Sequence, residues 1–479
     1  MNAPEKYDVL VLGGGTAGKV IAWTMAKEGK RTAVVDRKYI GGSCPNVACL
    51  PSKNVIHSAK VASLVGRHRE FGIETGPISI DMAGVYERKR KMVDGIIQVH
   101  LDKYHAAGAE LVFGDGAFVA PRTVHVALRD GGERTLTADR VFVDIGTHAA
   151  IPDTPGLREA KPMTHVEALD LQRRPVHLIV LGGGYVGLEL AQALHRLGIR
   201  VTLIERSSQL VTNEDADVSQ AILQLFRDEG IDVQLGTKVL RVNGISGEHV
   251  SIELESGNGT RTLEGTDILV AIGRTPNTTG IGLEKAGIEI TEKGHIREND
   301  RLETTAANVW AMGDCAGSPY FTHVAEDDAG IIRENLNGGR RSTKDRLVPY
   351  CVFIDPELAR VGLNESQARE RNIAYRIASV PFDSAWRACT ISERRGFMKT
   401  LIDAESDRIL GFTAFGPEAG ELMGTVQLAM LAGVPYTVLR DAVFAHPTMT
   451  EGLKALFMAV PERLENHAEQ LQHARTSGC

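Results

Sequence analysis

Residues 7–36 read YDVLVLGGGTAGKVIAWTMAKEGKRTAVVD. The apolar run at 7–12 predicts a buried strand that passes into GGGTAG. A helix is expected to about Lys27, and TAVVD at 32–36 predicts a second strand. Gly13, Gly15 and Gly18 match G-x-G-x-x-G. The first glycine allows a tight turn, the second lets backbone approach a pyrophosphate, and the third brings helix against strand, so that the helix N-terminus faces the phosphates. Asp36 ends the second strand, at the separation expected of an acid that binds a ribose hydroxyl. One such loop is weak evidence, because glycine-rich turns arise by chance.

The pattern returns at 177–205. HLIVL leads into GGGYVG with Gly182, Gly184 and Gly187 at the same spacing; a helical stretch follows, and VTLIE ends in Glu205. Two copies of strand, glycine loop, helix, strand and acid imply two dinucleotide sites. ADRVFVDIGTHAAIPDTPG (138–156) and TDILVAIGRTPNT (266–278) each resemble the exit strand of a nucleotide domain.

GGSCPNVACLPSK (41–53) follows the first unit directly. Cys44 and Cys49, with four residues between them, suit a reversible disulfide. They suit zinc poorly, since four ligands are normally needed and no second Cys/His pair is near. No resident metal site is assigned. A cofactor beside this pair must exchange electrons with sulfur. Flavin does so and nicotinamide does not, which assigns FAD to the first site and the nicotinamide to the second. Glu205 would accept from the 2′-hydroxyl of NAD and repel a 2′-phosphate, favouring NAD(H) over NADP(H). Arg206 is the residue that could pair with such a phosphate.

The 479 residues allow about three domains. A net charge of −7 argues against nucleic acid or an anionic membrane as a partner. No apolar run reaches the ~20 residues that span a bilayer. MNAPEKYDVLVLGGG lacks a signal-peptide pattern, and Cys315, Cys351, Cys389 and Cys479 form no framework. A cytoplasmic location is therefore expected. From about residue 346, stretches such as GFMKTLIDAESDRILGFTAFG alternate like antiparallel strands, and helical stretches flank VFAHPTMTEG (443–452). The charged run ERKRK (87–91) is expected to be a solvated helix face.

Over roughly 7–460 the chain resembles the class I pyridine nucleotide-disulfide oxidoreductases, which include dihydrolipoamide dehydrogenase, glutathione reductase and mercuric reductase. Their redox motif, GG-T/S-C-x-N-x-G-C-x-P-S/T-K, is matched except at Ala48, where Gly is usual. AMGD with Asp314 matches the motif holding the flavin ribityl chain. His446, Pro447 and Glu451 match the C-terminal His-Pro…Glu motif. The resemblance implies that Cys49 is the charge-transfer thiol next to the flavin and Cys44 the interchange thiol that meets substrate. It implies that His446 is the acid–base oriented by Glu451 and supplied by the partner subunit of a homodimer. Lys53 and Glu189 are implied to pair near flavin N5, and Tyr185 to gate the nicotinamide pocket. Gly42, Ser43 and Gly146 are counted with the flavin contacts and Gly273 with the nicotinamide contacts.

The expected fold is α/β, with two Rossmann-like dinucleotide-binding domains and a C-terminal α+β interface domain used for dimerisation. The expected segments are 1–150 (first part of the FAD domain), 151–276 (NAD(P) domain), 277–345 (return of the FAD domain), 346–465 (dimerisation domain) and 466–479 (flexible tail). The implied activity is NAD(P)H:disulfide oxidoreduction like that of dihydrolipoamide dehydrogenase, on a small disulfide or dithiol. Reduction of a metal ion such as Hg or Cu is the alternative, and a flavin NADH oxidase without thiol exchange the second. The stretches 308–328, 341–346 and 388–399 are similar to oxidant- and metal-responsive reductases, whose substrate entrance Trp386 and Arg387 are expected to line. A single tail thiol, Cys479, cannot form the vicinal cysteine pair that mercuric reductases carry.

Overall fold

The computed structural model describes residues 3–344 and 346–463. The expected tail, 466–479 with Cys479, lies outside the described residues. The chain divides into two compact units: one holds Leu225–Arg346 with the chain up to Leu210, the other Val211–Gln224 with the chain from Leu347.

The first unit begins with β1 (Glu5–Leu12), α1 (Thr16–Lys27) and β2 (Thr32–Asp36). Next come α2 (Ser43–Asn46), α3 (Cys49–Gly66) and α4 (Met82–Ala107), then β3 (Glu110–Ala120), β4 (Thr123–Leu128), β5 (Glu133–Val143) and β6 (Thr147–Ala149). β1 is paired in parallel with β2 on one side and β5 on the other, so its run from Val9 to Leu12 is buried throughout. Apolar clusters lie against both faces, one including Leu10, Leu12 and Val35, the other Val9, Val11 and Ile21 of α1. Leu12 pairs with Val35 and Val143, so Gly13, Asp36 and Asp144 emerge together at one sheet edge. That carboxyl edge is where an open parallel sheet binds its ligand.

The repeat follows through α5 (His165–Leu169), β7 (His177–Leu181), α6 (Tyr185–Arg196), β8 (Arg200–Ile204), α7 (Ala216–Asp228) and β9 (Asp232–Gln234). β10 (Lys238–Ile245), β11 (His249–Ser256) and β12 (Gly259–Gly265) form an antiparallel ladder. β13 (Asp267–Val270) then completes a parallel sheet in the order β13-β7-β8-β9. β14 (Arg274–Pro276) pairs with β6, linking the two exit strands. β15 (Val309–Ala311) returns to β5, and α8 (Thr322–Leu336) follows.

The second unit is built on a five-stranded antiparallel sheet ordered β16-β17-β20-β19-β18. Its elements are β16 (Tyr350–Val352), β17 (Glu357–Gly362), α9 (Glu365–Glu370), β18 (Tyr375–Pro381), α10 (Trp386–Thr390), β19 (Phe397–Asp403), β20 (Ile409–Gly416), α11 (Ala419–Leu431), α12 (Tyr436–Asp441) and α13 (Gly452–Met458). Val211–Gln224, placed within 151–276 by the sequence reading, groups here. The buried Lys399 ammonium of β19 explains this, because it is held by Asp215 at 2.9 Å, Asp217 at 2.8 Å and Glu365 at 3.2 Å.

The 87–91 run corrects one expectation. Lys89 is only 2% exposed, and its Nζ donates to Leu169 O at 3.0 Å and pairs with Asp170. The run is therefore not a uniformly solvated face. One cation of it is drawn inward by a helix-end carbonyl and a carboxylate, which a charge pattern alone does not reveal.

Candidate active site

Cys44 lies in the single-turn helix α2, and Cys49 is the first residue of α3. Asn46 holds the turn by donating from Nδ2 to Ile40 O at 2.9 Å and Gly42 O at 2.7 Å. Ala48 has φ −130°, outside the left-handed region, so alanine is accommodated where the motif usually has glycine. The structure holds the pair as thiols. The neighbouring Cys44 thiol has the largest effect on Cys49, drawing it down to about 6. Thr322 and the Lys53 charge add to this, while burial and Glu189 oppose it. Cys44 is raised by the neighbouring Cys49 sulfur and by burial. Cys49 Sγ is 3.3 Å from Thr322 Oγ1, and Lys53 Nζ is 2.7 Å from Glu189 Oε2.

The first glycine loop is packed so closely that side chains are excluded. Gly13 has φ +95°, and a Cβ on Gly15 would come within 2.5 Å of Asp144 Oδ2. α1 starts after Gly15 without a cap from the Gly15 position, and of its first-turn N–H groups that of Gly18 is taken by Asp144. Asp36 accepts from the backbone N–H of Gly14 at 2.9 Å and of Lys38 at 2.8 Å, and burial raises its carboxyl. Gly42, φ +80°, sets its missing Cβ 2.7 Å from Gly15 Cα, so the cysteine loop rests on the nucleotide loop. Ser43 opens α2, and Gly146 has φ +63° with open space where a Cβ would stand. Asp314 Oδ2 accepts from Thr147 Oγ1 at 2.6 Å, with Arg274 Nε at 3.6 Å. This cradle fits a dinucleotide whose pyrophosphate lies on the N-terminus of α1, with carboxylates for its hydroxyls.

The second loop repeats the design. Gly182 has φ +110°, and a Cβ on Gly187 would meet Gly182 O at 2.0 Å. Gly184 caps α6 with no side-chain bond and has open space around it. Glu205 accepts from Gly183 N–H at 2.7 Å and Ser207 N–H at 2.7 Å, as Asp36 does in the first loop. Tyr185 begins α6 half-buried, Arg206 is exposed, and Gly273 (φ +142°) is open.

In the second unit His446 Nδ1 is 2.8 Å from Glu451 Oε2, and the imidazole is 64% exposed. Thr448 secures the loop, donating to Ala445 O at 2.9 Å and accepting from Glu451 N–H at 3.2 Å. Trp386, Cys389, Thr390, His446 and Pro447 line an open cavity of about 520 Å³. Arg387 lies beside it, donating to Thr390 Oγ1 at 3.4 Å.

Sequence reasoning missed two residues at the centre of the site. Asp144 is buried under the first loop, where Gly18 N–H donates to it at 2.7 Å, and burial pushes its carboxyl well above the usual range. Its signal was an acid directly after the apolar strand VFV. Thr322, which touches Cys49, had no local signal.

A family model described as pyridine nucleotide-disulphide oxidoreductase matches residues 7–329, and that family's dimerisation domain matches 348–457. An Escherichia coli protein described as probable pyridine nucleotide-disulfide oxidoreductase RclA is 33% identical over 462 residues, covering 95% of this chain and 100% of the relative. A dihydrolipoamide dehydrogenase from Chaetomium thermophilum is 34% identical over 462 residues, 94% of this chain and 90% of that one. The solved Cu(II) complex of the HOCl-induced flavoprotein disulfide reductase RclA from Escherichia coli matches with a TM-score of 0.87 at 32% identity, covering 96% of this chain and 100% of that one.

Proposed function

The chain belongs to the pyridine nucleotide-disulfide oxidoreductase family of flavoenzymes, and from that premise we propose that it uses Cys44 and Cys49 to move an electron pair between a nicotinamide and a small disulfide of the dihydrolipoamide class. The observation that carries this reading is the placement of the two sulfurs, Cys44 in α2 and Cys49 at the start of α3, on a loop whose Gly42 packs against Gly15 of the first glycine loop. The dimerisation domain supports a homodimer. The proposed cofactors are FAD, which the family uses, on the first loop and NAD(H) on the second, where the Glu205 carboxylate disfavours a 2′-phosphate.

Bound FAD would take the electron pair of NADH and deliver it to the disulfide. Gly13, Gly15, Gly18 and Asp36 would hold its nucleotide part, with Gly42, Ser43, Gly146 and Asp314 nearer the reacting end. As the S–S bond opens, Cys49 retains a thiolate beside Thr322 and Lys53, and Cys44 is released. Cys44 then attacks the substrate disulfide, and protonated His446 of the partner subunit gives its proton to the departing thiolate. Cys49 resolves the mixed disulfide by attacking Cys44, which frees the second thiol. The sum is NADH, H⁺ and a disulfide giving NAD⁺ and two thiols, and the reverse oxidises a dithiol. The reducing surroundings that keep such a pair reversible favour a cytoplasmic location.

A second reading, metal-ion reduction, is favoured by one observation. The cavity beside Trp386 offers a thiol, Cys389, and an imidazole, His446, ligand types that suit copper. NADH would then reduce two Cu(II) to Cu(I). The experiment is steady-state turnover with NADH or NADPH against lipoamide, oxidised glutathione, Cu(II), Hg(II) and oxygen. Lipoamide turnover lost in Cys44→Ser supports the first reading. Metal-dependent NADH consumption with inert lipoamide replaces it with the second, and oxygen consumption unaffected by Cys44→Ser removes both.

A further inference from the structure

Asp36, Asp144, Asp314 and Asp328 border the first nucleotide loop and the Gly313–Asp314 turn, and three of the four carboxyls are well compensated. Asp328 is paired with Arg346 at 2.6 Å and accepts from Ser318 Oγ at 2.7 Å and Gly313 N–H at 2.8 Å. Asp314 accepts from Thr147 Oγ1 and has Arg274 Nε at 3.6 Å. Asp36 accepts from the backbone N–H groups of Gly14, Lys38 and Tyr39. Asp144 differs. It is 8% exposed, and among the described residues its carboxyl has one hydrogen bond, from Gly18 N–H at 2.7 Å, and no ion pair. The main chain fixes it there, since Asp144 N–H donates to Leu12 O at 2.8 Å and Met312 N–H to Val143 O at 3.0 Å. A Cβ on Gly15 would stand 2.5 Å from Oδ2, and one on Gly313 would stand 3.2 Å from Oδ1. The carboxyl therefore fills the space between the start of α1 and the Gly313–Asp314 turn. A buried carboxylate with one hydrogen bond and no counter-ion is costly, and such a group takes up a proton instead. Burial, with the Asp314, Asp328 and Asp36 charges, pushes Asp144 in that direction.

We propose that Asp144 is a positioning residue that is protonated when the dinucleotide is in place, so that FAD binding at the first loop takes up a proton. The proposal rests on the assignment of FAD to that loop. Its physical motive is competition for one helix end. Gly18 N–H belongs to the first turn of α1, and the partial positive charge of that turn is what draws a pyrophosphate. An ionised Asp144 would oppose the phosphate charge at that helix end, whereas the neutral acid accepts from Gly18 N–H and adds no charge. The groups facing Asp144 are Asp36 at the end of β2, Asp314 and Cys315 in the turn after β15, Asp328 on α8, Lys19 on α1 and Tyr104 on α4. Burial holds Cys315 at about 12 and raises Tyr104, so neither is ionised near pH 7. Lys19 favours ionisation of Asp144, and the three carboxylates oppose it. Because the bound state prefers the proton, FAD should be held more tightly as the pH falls and released more readily as it rises.

The test is FAD release from the oxidised holoenzyme, in which the cysteine pair is a disulfide and does not titrate. The enzyme is diluted into buffers from about pH 5 to about pH 9, below the range in which tyrosine ionises, and free flavin is followed by its fluorescence. In the wild type the release rate should climb with pH, by at most about tenfold per unit because one proton is linked. Asp144→Asn, whose amide oxygen can still accept from Gly18 N–H, should release FAD slowly at every pH, with a flat profile. A pH-independent rate in the wild type overturns the proposal, and that result needs no variant. So does an Asp144→Asn profile that keeps the wild-type slope, since another group would then be titrating. A flat Asp144→Asn profile as fast as the wild type at its alkaline limit overturns it too, because removing the charge would then have gained nothing. The flavin extracted from the purified protein is identified separately. Absence of FAD there overturns the cofactor assignment and the proposal with it, whereas FAD released at a pH-independent rate overturns the proposal and leaves the assignment standing.

Discussion

Lys53 Nζ lies 2.7 Å from Glu189 Oε2, and this ion pair joins the helix that begins at Cys49 to the helix that begins at Tyr185. The ion pair thereby ties the redox motif to the second nucleotide motif. The two charges also act in opposite directions on Cys49, Lys53 favouring the thiolate and Glu189 disfavouring it. A neutral pair would leave the sulfur to the effects of Cys44 and Thr322.

Lys53→Met should destabilise the protein by about 3 kcal/mol, the low end for breaking a buried pair, because the Glu189 carboxylate is 9% exposed but Lys53 is 31% exposed. Urea unfolding of the holoenzyme measures this. Lys53→Met combined with Glu189→Gln should recover most of the loss, since no buried charge then lacks its partner. A double variant as unstable as the sum of the singles would show that the two side chains act independently.

The lowered pKa of Cys49 sets a spectroscopic expectation. Its thiolate should be fully present at neutral and alkaline pH and be lost as the pH falls through about 6. Long-wavelength absorbance of the two-electron-reduced enzyme reports that thiolate. Cys44→Ala removes the largest contribution, the neighbouring thiol, so the midpoint for Cys49 should move upward. An unmoved midpoint would mean that Cys44 does not act on Cys49.

The two nucleotide units and the cysteine motif were legible because their information is local. G-x-G-x-x-G, the acid at Asp36 or Glu205 and the five-residue step from Cys44 to Cys49 all lie within a few elements of each other. Even the use of each acid repeats, since Asp36 accepts from Gly14 N–H and Glu205 from Gly183 N–H. What stayed hidden depends on closure of the chain. Thr322 reaches Cys49 from a separate helix far along the sequence, and Asp144 reaches Gly18 across the sheet. The burial of Lys89 depends on Leu169 and Asp170, which its own charged run does not announce.

Matching glycines in the two loops should respond differently to alanine. At Gly15 a Cβ would press within 2.5 Å of the Asp144 carboxylate, whereas at Gly184 nothing lies within 4 Å. Gly15→Ala should therefore yield protein depleted of flavin, read from the ratio of flavin to protein absorbance after purification. Gly184→Ala should keep its flavin and its melting temperature and raise only the nicotinamide KM, through closer contact with the pyrophosphate. Equal flavin loss in both variants would contradict the assignment of the second loop to the nicotinamide.

His446 and Glu451 give the sharpest test of thiol exchange. The carboxylate oxygen stands 2.8 Å from Nδ1, so Nδ1–H donates to it and Nε2 is left to handle a proton on the exposed side of the ring. His446→Gln should slow disulfide turnover by roughly 10²–10⁴-fold, the loss typical of a removed general acid–base. Glu451→Gln should lose less, because an amide oxygen can still accept from Nδ1–H and keep the ring oriented. Flavin reduction by NADH, followed in a stopped-flow experiment, should keep its rate in both variants, since neither residue takes part in hydride uptake. An equal slowing of flavin reduction and disulfide turnover would instead place the damage in folding or cofactor binding, and would falsify the proton-transfer role of His446.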